Sequence, residues 1–81
     1  MRYLNIIPIL LAELNNSKMN RIKEVLEEKG IKQIWLAEKL GKSYNMVNGY
    51  VQNRRQPNIE CLNEIAEILN ISVKELLVEH E

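Results

Sequence analysis

The sequence predicts an all-α domain, a compact bundle of five short helices. Three observations carry this prediction. From residue 19 onward, apolar residues recur at three- and four-residue spacing, the period of a helix with one buried face. Residues that start or stop helices (Gly30, Gly41, Ser43, Pro57, Asn58, Asn70, Ser72) interrupt that pattern at short intervals. No segment from residue 19 on alternates convincingly as a strand.

The elements follow in order. Met19, Ile22, Val25 and Leu26 share one face, and Gly30 can end that helix in the left-handed conformation. A second helix runs over about 32–40, with Leu36, Ala37 and Leu40 on its inner face and Gly41 directly after. Ser43 reads as an N-cap, and residues 44–51 form a third helix that buries Val47, Tyr50 and Val51. Residues 52–57 form a loop, in which Asn53 suits a left-handed backbone and Pro57 blocks helix continuation. Asn58 can cap a fourth helix, where Ile59, Leu62, Ile65, Ala66 and Leu69 keep the spacing and Asn70 ends it. Ser72 and Glu75 form a capping box that opens a short fifth helix carrying Leu76 and Leu77.

Residues 1–18 read as a separate N-terminal arm or extra helix. Tyr3, Asn5, Ile7 and Ile9 alternate as a strand would, while Pro8 could open a short helix. The reading favours a short helix or arm packed on the domain or on a partner chain. The organisation is then arm at 1–18, main domain at 19–78 and tail at 79–81.

Composition narrows the function classes. A chain of 81 residues makes about one small domain, which must pack economically or associate to be stable. Phe is absent, so Ile and Leu build the core. The one cysteine, Cys61, cannot close an internal disulfide and reads as a small buried hydrophobe in a reducing cytoplasm. The one histidine, His80, sits in the tail and gives Cys61 no base. No cluster has metal-ligand spacing and no phosphate loop is visible, so neither enzyme activity, metal nor cofactor is expected. The apolar run at 6–12 is too short to span a bilayer, and residues 15–18 offer no signal-peptide cleavage site.

The net charge of zero conceals an asymmetry. Residues 32–57 carry Lys32, Lys39, Lys42, Arg54 and Arg55 against Glu38 alone, while residues 58–81 carry six glutamates against Lys74. Phosphate attraction acts over about a Debye length of ~8–10 Å, so a local basic face is all that nucleic-acid binding requires. Within that stretch, Gln33, Ala37, Gly41, Val47 and Tyr50 stand at positions 1, 5, 9, 15 and 18 of a bihelical unit. A small side chain lets two helices cross closely, a glycine takes the turn, and two larger apolar groups anchor the second helix.

On these residues, the chain resembles the phage repressor and Cro-type (XRE-like) helix-turn-helix family. The resemblance is carried by residues 32–43, by Asn53-Arg54-Arg55-Gln56-Pro57, and by Leu62, Ile65, Ala66 and Leu69. It covers about residues 19–78. It implies a lambda-repressor-like bundle that binds operator sites in double-stranded DNA, usually as a homodimer, and acts as a transcriptional regulator of repressor type.

The resemblance also implies roles. Gln33 meets a phosphate and braces the reading helix. Ser43, Tyr44 and Asn45 begin the recognition helix in the major groove. Asn45 and Asn48 can bond an adenine edge, and Tyr44 can touch a thymine methyl or a phosphate. Arg54 and Arg55 hold the DNA backbone. Lys42 stands where the family often has an apolar residue, leaving the turn more open or adding a phosphate contact. Gly49 replaces a common long polar reader, Val51 a frequent glutamate and Asn53 a frequent glycine. Trp35 reads as a partly buried packing residue. Leu76, Leu77 and Val78, beside Ile68 and Ile71, are the expected dimer patch together with the arm. A competing expectation is an antitoxin or protein-interaction module that grips a partner protein through the N-terminal arm or the C-terminal helix.

Overall fold

Helix ends in this chain are set by residues that accept a positive φ or supply a side-chain cap. In the computed structural model, which describes residues 18–78, these signals delimit four α-helices. They are α1 (Ile22–Lys29), α2 (Gln33–Leu40), α3 (Tyr44–Val51) and α4 (Ile59–Leu69). Gly30, Gly41 and Asn70 are left-handed at the ends of α1, α2 and α4, with φ of 67°, 66° and 58°. Expectations for the arm at 1–17 and the tail at 79–81 lie outside the described residues.

The core is assembled from one face of each helix. Ile22, Val25 and Leu26 meet Leu36, Ala37 and Leu40, then Val47, Tyr50 and Val51, then Leu62, Ile65 and Leu69. Helix α2 packs on α3 and α4, and α1 packs on α3. Burying each Leu or Ile side chain contributes about 1.5–3 kcal/mol, so this cluster is the main source of stability. Cys61 joins it, and burial pushes its thiol above the ordinary cysteine range. Glu64 adds to that shift, while Lys42 and Tyr50 pull the other way.

Four expectations are corrected. The fifth helix is one 3-10 turn, Val73–Leu76, although its capping box of Ser72 and Glu75 forms as read. It stops because Leu77 turns extended and forms an antiparallel bridge with Asn20, while the Arg21 N–H donates to the Leu76 carbonyl at 2.8 Å. The same bridge holds residues 19–21 out of α1, so the first helix starts at Ile22 and Met19 is half exposed. Ile59, expected on the inner face of α4, is 66% exposed in the first turn, beyond the edge of the core. Leu76 is fully buried in the chain's own core, packed where the 3-10 turn meets α1 and α4, so it cannot belong to a dimer patch. Leu77 remains exposed.

Candidate nucleic-acid interface

Helices α2 and α3 meet through a three-residue turn. Gly41 donates its N–H to the Glu38 carbonyl and Lys42 donates to the Ala37 carbonyl, so the last carbonyls of α2 are satisfied. A Cβ at Gly41 would meet nothing within 4 Å. The glycine is needed for its φ of +66° and not for space. Ser43 then caps α3, its Oγ accepting the Met46 N–H at 3.1 Å. Ala37 is buried where α2 faces α3, as the spacing required.

This turn presents Lys42, Ser43, Tyr44 and Asn45 to solvent at the start of α3. Among the described residues, the Asn45 amide makes no hydrogen bond. Tyr44 is 48% exposed and lines a hollow with Gln33, Ile34 and Lys32. A second, more polar hollow is bounded by Ser43, Asn45, Met46, Gly49, Arg54 and Arg55. No carboxylate lines it.

The loop after α3 folds back over that helix. The backbone N–H groups of Arg54 and Arg55 both donate to the Gly49 carbonyl, at 2.9 and 3.3 Å. The stem of Arg55 crosses Gly49, where an added Cβ would lie 3.0 Å from its Cγ. Gly49 therefore gives Arg55 a bed on the helix that a side chain there would fill. Arg54 donates from Nη2 to Asn48 Oδ1 at 2.7 Å, and Asn48 Nδ2 donates to Gln33 Oε1 at 2.9 Å. Gln33, Asn48 and Arg54, distant in sequence, form one chain of contacts. Trp35 is more exposed than read, and the Lys39 ammonium sits 5.4 Å from its ring.

Sequence reasoning missed Asn20, the one buried polar side chain among the described residues, at 2% exposure. Its Nδ2 donates to the Tyr50 carbonyl at 3.0 Å and to Gln56 Oε1 at 2.8 Å, and its Oδ1 accepts the Ile22 N–H. Asn53, left-handed at φ 60°, accepts the N–H groups of Met19 and Asn20 on Oδ1 and donates Nδ2 back to the Asn20 carbonyl. Asparagine at 53 thus keeps the left-handed turn and stitches the arginine loop to the chain before α1. Asn20 is of the type that bonds a backbone N–H two positions on, as it does that of Ile22, and that was its one local signal. Its partners at 50, 53 and 56 carried none.

Among the described residues, no group of three or more His, Cys, Asp or Glu could hold a metal ion, and no helix is long and apolar enough to cross a membrane. No curated protein matches the chain. Among solved structures, it is similar to the crystal structure of a candidate DNA-binding protein from Bacteroides fragilis. That match has 42% identity and a TM-score of 0.73, and it covers 74% of this chain and 97% of the other. The family model for the helix-turn-helix matches residues 22–76, the span from the first residue of α1 to the last of the 3-10 turn. The chain belongs to the XRE-like helix-turn-helix family.

Proposed function

We propose that this protein binds double-stranded DNA sequence-specifically through α3 and acts in the cytoplasm as a repressor-like transcriptional regulator. The observation that carries this is Asn45. Its amide is exposed and unbonded among the described residues, beside a hollow bordered by two arginines and no carboxylate. A side chain with neither packing nor internal bonding to explain it, on a helix it does not favour, has a free edge for adenine. The relationship to a candidate DNA-binding protein supports the same reading.

The mechanism follows from charge and geometry. Lys42, Arg54 and Arg55 displace counterions from phosphates, which gives affinity and a steep salt dependence. Gln33 and the capped start of α3 at Ser43 fix the register, and Tyr44 and Asn45 then test base edges in the major groove. The protein acts by binding and not by catalysis. One recognition helix reads only a few base pairs, so the functional unit is a homodimer that places two copies about 34 Å apart. Exposed Leu77, with half-buried Val78, Ile68 and Ile71, is the apolar surface best suited to that contact.

Selection of bound sequences from random duplex DNA tests the reading. A palindromic consensus with half-sites about one helical turn apart is the expected result. Recovery of unenriched sequence overturns specific recognition, and a consensus without symmetry overturns the homodimer.

A further inference from the structure

The side chain of Asn48 links Gln33 of α2 to Arg54 of the loop, and both ends of its amide are engaged. Arg54 Nη2 lies 2.7 Å from Oδ1, and Gln33 Oε1 lies 2.9 Å from Nδ2. A guanidinium can only donate. Arg54 therefore fixes which end of Asn48 is the oxygen, which leaves the Asn48 nitrogen toward Gln33. That nitrogen needs an acceptor, so Gln33 must turn Oε1 inward. Its Nε2 is left outward, without a partner among the described residues. One charged donor thus sets the polarity of two amides in series, across α2, α3 and the following loop.

The polarity has a chemical consequence. Hydrogen bonds in a chain polarise one another, and here the positive charge stands at the head. Donation from Arg54 draws electron density out of the Asn48 amide, which draws it from Gln33, making Gln33 Nε2 a stronger donor. Both free ends of the relay, the remaining Arg54 N–H groups and Gln33 Nε2, ask for acceptors. Gln33 also lies in the first turn of α2, where the unpaired backbone N–H groups favour an anion. The partner this arrangement fits is a phosphodiester backbone, held at two points whose separation Asn48 determines.

We infer that Asn48 is a positioning residue, a relay that sets the spacing and donor polarity of Arg54 and Gln33 toward DNA phosphates, and not a reader of bases. The inference rests on the DNA-binding reading above and assigns Asn48 a different part in it from Asn45.

The test measures dissociation constants of the full chain and its variants for a duplex selected from random DNA and for a scrambled duplex of equal composition. Asn48→Ala weakens both by about the same factor, of order ten-fold, leaving their ratio unchanged. In that background Gln33→Ala costs little more, because its donor is already unaligned. Asn48→Asp, almost isosteric, keeps Arg54 but forces Gln33 to present Oε1 outward, so Gln33→Ala in this background restores part of the lost affinity. Thermal unfolding of each variant separates these effects from misfolding. Loss of selected-duplex affinity alone on Asn48→Ala, or strict additivity of Asn48→Ala with Gln33→Ala, overturns the relay while DNA binding stands. A wild-type chain that binds neither duplex overturns both.

Discussion

Helices α3 and α4 are built alike at their N-termini and differ on their outer faces. Each opens with a side chain that accepts the backbone N–H three residues on, Ser43 to Met46 at 3.1 Å and Asn58 to Cys61 at 2.8 Å. Each buries an apolar stripe on the same core. Outward, α4 shows Glu60, Asn63, Glu64 and Glu67, whereas α3 shows Tyr44 and Asn45 and carries no charged residue. A row of carboxylates repels a phosphate backbone, while neutral amides flanked by arginines tolerate it. The comparison teaches that packing placed both helices and that surface chemistry separates the one proposed to meet DNA from the one with an acidic outer face.

Substitutions can break the comparison from either side. The largest effect belongs to the packing helix. Ile65 is fully buried, so Ile65→Ala should cost about 2–5 kcal/mol in denaturant unfolding while the folded fraction binds DNA unchanged. Separate loss of affinity per folded molecule would show that α4 takes part in binding after all. Next comes Asn20→Ala, which orphans the Ile22 N–H and leaves the Tyr50 carbonyl with the Asn53 N–H alone. It should cost about 1–3 kcal/mol of stability and loosen the loop carrying Arg54, seen as weaker binding to any duplex. Full retention of stability would mean that Asn53 and Gln56 hold the loop without it.

Two smaller effects sharpen the α3 side. Asn45→Ala should leave the unfolding transition in place and weaken selected-duplex binding by about 1–3 kcal/mol, with little change on scrambled DNA. Equal losses on the two duplexes would remove Asn45 from base reading. Arg54→Ala should lower the slope of log affinity against log salt by about one unit. An unaltered slope would place Arg54 away from phosphate.

The parts legible in the sequence are those set by short-range rules. Gly30, Gly41 and Asn53 take the positive φ expected of them, Asn70 ends its helix as read, and Ser43, Asn58 and Ser72 all cap as read. A φ preference or a cap depends on residues at most a few positions away. Burial at the margins of a helix does not: Ile59 and Met19 share the period of the core but lie past its edge, where no neighbour covers them. The fifth element failed for a related reason, since the strand-like pairing of Leu77 with Asn20 joins residues 57 apart. The candidate site residues were named in the sequence by type and position. Their mutual bonding was not, because any of several amides could have faced Gln33 or Arg54, and only the crossing of α2 over α3 selects Asn48.

The seat of Cys61 has a practical consequence. Its sulfur is tucked between the packed helices in neutral form, so thiol reagents should find it inert until the core opens. A single such group makes labelling stoichiometry unambiguous, and its modification rate in native buffer becomes a clock for transient opening, without any probe added to α3.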